Sequence, residues 1–198
     1  MDKLLIATHN PGKIREISQI LADLPFACLS LQAAGITEDV AETGETYAAN
    51  ALLKANFASR LAGRPALGDD SGLEVGALGG RPGLQTARYA ATNPERWAKL
   101  LGEMEGIPWE RRTARFVCAI ALAAPGRAPA IVEGTCEGII NFEPRGLGGF
   151  GYDPLFYLPD YGCTMAELDD EVKNRVSHRA RAALKARDIL KEWAEAAA

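Results

Sequence analysis

Two adjacent aspartates lie between apolar segments in Gly68-Asp69-Asp70-Ser71-Gly72. Adjacent carboxylates cost free energy to place together, because like charges repel and raise each other's pKa. A divalent cation removes this cost, and carboxylates with a hydroxyl neighbour suit Mg²⁺, which takes carboxylate, phosphate and water oxygens. The alternative is an ordinary Asp-Ser-Gly turn after a strand.

Length and composition limit the classes of protein that this chain can represent. A chain of 198 residues forms one domain, or one domain with two lobes. A net charge of -4 argues against coating of nucleic acid but permits a small anionic ligand held by local cations. No apolar run approaches membrane-spanning length, and the segment from Met1 has no signal-peptide pattern. We therefore predict a cytoplasmic protein that binds neither nucleic acid nor a membrane.

The cysteines do not favour a zinc site, since none has CxxC spacing and there is no histidine cluster. Cys118 lies in an apolar run and is predicted to be a buried thiol.

Apolar periodicity predicts strands that alternate with helices, which is typical of a mixed α/β architecture. Thr46 and Ser177 are the predicted N-caps of two helices. The predicted strands are residues 3–7, 73–78, 116–123 and 130–135, and the predicted helices are 14–24, 46–62, a segment from about 94 onward, and 178–194.

The first segment with chemical character is Thr8-His9-Asn10-Pro11-Gly12-Lys13, between a strand and a helix. Backbone N–H groups at a helix start attract anions, Gly12 allows close approach, and Lys13 adds a positive charge. The segment suits a polyphosphate, although it lacks Walker A spacing. An ordinary Asn-Pro-Gly turn is the alternative.

A second acidic segment, residues 38–45, supplies further carboxylates. One of them together with one from Asp69-Asp70 would make a Mg²⁺ site. The alternative is a solvated acidic loop.

Two later segments have features that suit a base. In Gly146–Pro154, glycines allow close approach to the backbone, Phe150 is suited to stack on a purine, and Asp153 is a hydrogen-bond acceptor. In Lys173–Arg179, cations at a helix start oppose the helix dipole, which indicates that they face a ligand. A connecting loop and a structural histidine, His178, are the respective alternatives.

In this order, these segments resemble the inosine triphosphatase family, also called the Ham1 or non-canonical purine NTP pyrophosphatase family. The matching blocks span residues 4 to 184. They are Thr8–Lys13, Asp69–Gly72 continuing through Gly79–Gly83 to Tyr89, Gly149–Pro154, and Lys173 with Ser177-His178-Arg179.

The resemblance implies an α/β, two-lobed inosine triphosphatase-like fold over residues 1–198, with a long twisted mixed sheet and a nucleotide cleft between the lobes. It implies a cytoplasmic homodimer. It also implies hydrolysis of dITP/ITP and XTP/dXTP to the nucleoside monophosphate and pyrophosphate, which cleanses the nucleotide pool.

The resemblance further implies roles for individual residues. Asp70 would hold Mg²⁺ and activate water, with Asp69 assisting catalysis. Donors from Lys173, His178 or Arg179 would pair with the C6 carbonyl oxygen of hypoxanthine or xanthine, where adenine has an amino group. The implied substrate-binding residues are Thr8, His9, Asn10, Pro11, Gly12, Lys13, Ser71, Phe150, Gly151, Tyr152, Asp153, Lys173, His178 and Arg179.

The chain departs from the family pattern where the family commonly has glutamates, at Ala41 and Ala49. We therefore predict that the metal is bound by Asp70 together with Glu42; the alternatives are binding that relies on Asp69, or weaker binding of the metal. Two other functions stay open: a Maf-type pyrophosphatase acting on pyrimidine triphosphates, and a nucleotide sensor that binds without releasing pyrophosphate.

Overall fold

The computed structural model describes residues 3–196 and contains one mixed sheet with flanking helices. Seven strands lie in the order β2-β1-β3-β4-β5-β6-β7. The strands are β1 (Lys3–Ala7), β2 (Ala27–Ser30), β3 (Ala66–Val75), β4 (Thr113–Ala123), β5 (Ala130–Ile140), β6 (Phe156–Leu158) and β7 (Cys163–Thr164). The helices are α1 (Pro11–Ile20), α2 (Tyr47–Ala62), α3 (Asn93–Glu103), α4 (Asp170–Val176) and α5 (His178–Glu195).

Strand pairing makes the sheet mixed, as an α/β chain with a central β segment predicts. β1 pairs in parallel with β2 and β3, whereas β6 pairs antiparallel with β5 and β7. The chain divides into two compact units, and β3, β4 and β5 each contribute residues to both. Within the described residues, the first unit contains 3–70, 118–134 and 178–196, and the second contains 71–117 and 135–177.

In the first unit, alternate strand residues face different helices, because successive side chains of a strand point to opposite faces. Leu67 and Cys118 belong to the cluster that contains apolar residues of α1 and α5. Ala119 and Ala121 instead pack against the alanines of α2. The sheet of this unit therefore has α1 and α5 on one face and α2 on the other.

Two glycines allow helices of the first unit to lie close to the sheet. A Cβ at Gly68 would collide with the backbone of Ala51 and Ala55 in α2. A Cβ at Gly134 would collide with the backbone of His178 and Ala182 in α5. These contacts place the middle of α2 and the start of α5 directly against the strands.

The second unit has its own apolar core and a buried cation. Leu73, Phe116 and Phe156 belong to one cluster, and the rings of the two phenylalanines lie 4.5 Å apart. Arg112, only 2% exposed, donates to the carbonyl oxygens of Ile140 at 2.7 Å and Asn141 at 3.1 Å. Its guanidinium thus satisfies two backbone carbonyl oxygens at the end of β5.

Several predicted element bounds are wrong, and each error has a local cause. The first helix begins at Pro11 and ends at Ile20, because Asn10 caps it earlier than the apolar pattern indicates. The strand predicted at 73–78 is β3, which begins earlier at Ala66 and ends at Val75, so the aspartates lie inside it and the alternative of a turn is excluded. The strand predicted at 130–135 continues to Ile140. Strands β2, β6 and β7 and helix α4 are too short to give a clear apolar period.

Other predictions are confirmed. Thr46 caps α2 by accepting a hydrogen bond from the Ala49 N–H at 3.1 Å. Cys118 is fully buried, as its apolar run predicts.

Ser177 lies between α4 and α5 and directly precedes His178, and its role as the N-cap of α5 stays a prediction. Within residues 3–196, no helix combines the length and apolarity needed to cross a membrane.

Candidate active site

Asp69 is enclosed by donors on the face of the sheet that carries α1 and α5. Its side chain is inaccessible to solvent, and its Oδ2 atom accepts from Arg179 Nε at 3.1 Å and from the Cys118 thiol at 2.9 Å. Its Oδ1 atom forms an ion pair with the ammonium of Lys13. Both oxygens of this carboxylate are therefore held by groups of the protein.

The charges around Asp69 outweigh the cost of burying it. Burial alone would raise its pKa, but the Arg179 and Lys13 charges and the Cys118 hydrogen bond hold the pKa of Asp69 well below its usual range. Burial and the Asp69 charge raise the pKa of the Cys118 thiol, which stays protonated and donates. Arg179 also pairs with Glu16 at 2.8 Å, so one guanidinium joins two buried carboxylates.

Asp70 points to the opposite face and contacts α2. Its Oδ1 lies 3.1 Å from Lys54 Nζ, and its Oδ2 accepts from Asn50 Nδ2 at 3.1 Å. Glu42 lies 2.5 Å from the same Lys54 ammonium. The two carboxylates predicted as metal ligands therefore converge on one positive group.

The oxygen atoms around Lys54 would suit a hard divalent cation as ligands. Burial opposes the charge of Lys54, but the carboxylates of Asp70 and Glu42 outweigh this effect and raise its pKa. The convergent atoms are carboxylate oxygens, and Mg²⁺ is commonly bound by one or two carboxylates with water and phosphate oxygens completing its shell. Among residues 3–196, no group of three or more His, Cys, Asp or Glu side chains is arranged to hold a metal.

The loop before α1 is capped by its own side chains. Asn10 Oδ1 accepts from the N–H groups of Gly12 at 2.9 Å and Lys13 at 3.3 Å, and Thr8 Oγ1 accepts from the Asn10 N–H at 3.2 Å. His9 and Pro11 are exposed. The sequence predicts that the N–H groups of this helix start attract a phosphate, but Asn10 Oδ1 already accepts from two of them. The positive charge at this position comes from Lys13.

The start of α5 is buried. His178 and Arg179 are 4% and 3% exposed. The carboxylates of Asp69 and Glu16 explain a cation in the first turn of this helix, since they offset the unfavourable interaction with its dipole. The base-reading role implied for these two residues stays a prediction.

In the second unit, three predicted residues lie together. Lys173 Nζ lies 2.6 Å from Asp153 Oδ2, which also accepts from the Phe150 N–H at 2.8 Å. The same ammonium lies 5.1 Å from the centre of the Phe150 ring. Gly149 has φ 68°, and a Cβ there would collide with both charged groups. The aromatic ring and the ion pair thus form one compact cluster.

The neighbouring residues Gly151, Tyr152 and Ser71 have different surroundings. The Gly151 carbonyl accepts from the Trp97 indole at 2.8 Å. Tyr152 is 2% exposed, its hydroxyl has no hydrogen-bond partner within residues 3–196, and burial raises its pKa. Ser71 is half-buried in β3.

Sequence reasoning missed three polar residues that contact the aspartates or their partners. Asn50 and Lys54 are four residues apart, so they share one face of α2, and their polarity is unusual on its alanine-rich buried side. Glu16 follows Lys13 by three residues on α1 and shares its face in the same way. Helical spacing from a buried or charged neighbour is the signal that identifies all three.

Comparisons with known proteins identify relatives of this chain. A model of the Ham1 family matches residues 4–189. A dITP/XTP pyrophosphatase of Geobacillus kaustophilus is 53% identical over 198 residues, covering 98% of this chain and 96% of that protein. A dITP/XTP pyrophosphatase of Bacillus subtilis is 46% identical over 193 residues, covering 96% of this chain and 98% of that protein.

A solved structure has the same fold. The structure of a HAM1 protein from Coxiella burnetii aligns with a TM-score of 0.86 at 41% identity, covering 97% of this chain and 100% of that chain. A family match over nearly the whole length and relatives of this identity lead to one assignment: the chain belongs to the Ham1 family.

Proposed function

We propose that this protein hydrolyses non-canonical purine nucleoside triphosphates, dITP/ITP and XTP/dXTP, to the nucleoside monophosphate and pyrophosphate. The observation that carries the proposal is the buried Asp69-Asp70 pair with Lys13 and Lys54 bound to it. Phosphoryl transfer depends mainly on positioning and on neutralising phosphate charge, and this cluster supplies ordered carboxylates and cations. Relatives named dITP/XTP pyrophosphatase support the same substrate class.

We assign the general base to Asp70. Asp69 has no accessible side-chain surface and is held by three donors, so it cannot approach a water molecule. The Asp70 side chain keeps 12% of its surface exposed, and Asn50 fixes its orientation. Asp70 would accept a proton from the attacking water, whereas Asp69 holds Lys13 in place.

Glu42 and Asp70 would hold a divalent cation, for which we propose Mg²⁺. When bound, Mg²⁺ supplies neutralisation of phosphate charge. Lys13 would donate to phosphate oxygens in addition. Thr8 and Asn10 set the loop that begins α1 and thereby fix the position of Lys13.

Base selection would fall to the cluster of Phe150, Asp153 and Lys173. The ring offers a stacking surface, and the ion pair presents both a donor and an acceptor beside it. A donor rewards the C6 carbonyl oxygen of hypoxanthine or xanthine and leaves the amino group of adenine badly paired.

The test is pyrophosphate release in the presence of Mg²⁺. We expect release from ITP, dITP and XTP to exceed that from ATP, GTP, CTP and UTP. Release mainly from pyrimidine triphosphates would instead indicate a Maf-type specificity. Nucleotide binding without release would indicate a sensor.

A cytoplasmic location and a homodimeric assembly complete the proposal, both supported by the resemblance to the family. Light scattering coupled to size-exclusion chromatography tests the assembly. A mass near 21.2 kDa, that of one chain, would contradict it.

A further inference from the structure

We propose that Lys54 is a resident counter-ion: its ammonium holds Glu42 and Asp70 together when no divalent cation is bound, and a divalent cation binds by displacing it. This inference rests on the proposed function only in placing the cation between these two carboxylates. It assigns to Lys54 the role of a cation that is exchanged for the divalent cation at this site.

The contacts of the Lys54 ammonium resemble the oxygen coordination of a small cation. An ammonium has three donors and no acceptor. Lys54 Nζ lies 2.5 Å from Glu42, 3.1 Å from Asp70 Oδ1 and 3.2 Å from the Asp69 carbonyl oxygen. Three oxygens thus surround a group that carries one positive charge, and its side chain is only 12% exposed.

Charge explains why the ammonium and a divalent cation exclude each other. Both seek the same carboxylate oxygens, and two cations at such short range repel strongly where water is scarce. Lysine carries its charge on a flexible stem of four carbons, so the ammonium can leave while the helix stays in place. Cation binding is then an exchange, and its affinity is lowered by the attraction that Lys54 loses.

Asn50 keeps the carboxylates oriented during this exchange. Its Nδ2 donates to Asp70 Oδ2 at 3.1 Å, and its Oδ1 accepts from the Gly44 N–H at 2.8 Å. The amide therefore ties Asp70 to the loop that carries Glu42, and it does so without using Lys54. The site keeps its shape when the ammonium departs.

The experiment measures binding of Mn²⁺ to the nucleotide-free protein by electron paramagnetic resonance. Mn²⁺ takes the same oxygen ligands and is directly observable. We expect Lys54→Met to bind Mn²⁺ about tenfold more tightly than the unaltered protein, because one competing charge is gone. Lys185→Met is the matched control, because it removes the same positive charge at a distant position. Among the interactions described, Lys185 contacts only the carbonyl oxygen of Glu133.

Thermal unfolding provides a second readout. Without cation, Lys54→Met should melt at a lower temperature than the unaltered protein, because the ammonium that lies between Glu42 and Asp70 is gone and the two negative charges repel. Saturating Mn²⁺ should raise its melting temperature by more than it raises that of the unaltered protein or of Lys185→Met.

Equal or weaker Mn²⁺ binding by Lys54→Met would overturn the proposal, as would absence of Mn²⁺ binding to either protein. Lys54→Gln is the second variant should the methionine variant fail to fold. Pyrophosphate release by the unaltered protein is measured separately, so loss of the counter-ion role and loss of the proposed function give different results.

Discussion

Adjacent aspartates in one strand reach opposite environments, and this separates their roles. Asp69 faces α1 and α5, where Lys13 and Arg179 neutralise it, whereas Asp70 faces α2 and retains some exposure. The alternation of a strand is sufficient to produce this difference. A pair of identical residues thus provides one fixed counter-ion and one accessible base.

Replacement of Asp70 tests its assignment as the general base. Asp70→Asn should lower kcat for ITP by about 10²–10⁴-fold, the usual contribution of general base catalysis, because the amide cannot accept the proton of water. The fold should persist, since the amide keeps the shape of the side chain and can still hydrogen-bond to Asn50. Steady-state kinetics and circular dichroism measure both; near-normal kcat would contradict the assignment.

Replacement of Asp69 should act on stability with a defined pH dependence. Asp69→Asn leaves the buried Arg179 and the partly exposed Lys13 beside a neutral group, which should cost about 3–5 kcal/mol at pH 7. Because folding lowers the pKa of Asp69, its contribution is complete above about pH 4, the ordinary value for aspartate, and is lost as pH falls below it.

Urea unfolding of both proteins between pH 7 and pH 3 measures this difference. The stabilities should approach each other at the acid end. A difference that stays constant throughout would show that the charge of Asp69 is not its source.

Tyr152 offers a test in the second unit. Tyr152→Phe removes a buried hydroxyl that has no hydrogen-bond partner among the described residues, so the free energy of unfolding should stay the same or rise by about 1 kcal/mol. KM for ITP should not change, since the hydroxyl oxygen is buried away from solvent. A fall in stability of more than 1 kcal/mol, relative to the unaltered protein, would reveal a bonded hydroxyl.

Helix α2 is the element that assembles the Asp70 side of the site. It supplies Asn50 and Lys54, and its alanines allow it to pack directly on the sheet. Gly68 removes the last obstacle to this approach, one residue before the aspartates. The distance between helix and strand therefore sets the geometry of the carboxylates.

Gly68→Ala should disturb this element. The added methyl meets α2 backbone, so we expect destabilisation of about 1–3 kcal/mol and a loss of kcat larger than the loss of folded protein. Gly102→Ala is the control, because a Cβ there meets nothing within 4 Å and alanine favours the helix. Chemical unfolding measures the stability of both variants, and steady-state kinetics measures their kcat. Equal stability and equal kcat for the two variants would contradict the close approach of α2 to Gly68.

Sequence patterns predicted long elements well and the environment of the acidic motif poorly. Apolar periodicity identified α2 and α5 nearly to the residue, because both helices bury a regular face. The predicted strand begins at Leu73, whereas β3 begins at Ala66 and contains both aspartates, because cations from helices distant in the chain neutralise them there. Neutralisation by residues distant in the chain leaves no pattern in the local sequence. The four-residue spacing of Asn50 and Lys54, by contrast, is a local pattern that places both side chains on one face of α2.

At the scale of the molecule, the property to test is the preference for one purine nucleobase over another. Lys173→Met keeps the length of the side chain but removes the donor beside Phe150, so the ratio of kcat/KM for ITP over ATP should fall by about tenfold, the loss of one charged hydrogen bond. This ratio is independent of how much protein is folded. An unchanged ratio with a lowered melting temperature would make Lys173 structural.

The pairing of Arg179 with Glu16 has a consequence for how the chain matures. The two residues are 163 positions apart, and Arg179 is also 110 positions from Asp69. During synthesis, α1 and β3 leave the ribosome long before α5 exists, and closing so long a loop carries an entropic cost. Until α5 docks, the Asp69 carboxylate lacks its guanidinium partner. The nascent protein therefore completes the charge network around Asp69 and Glu16 only in the closing stage of folding.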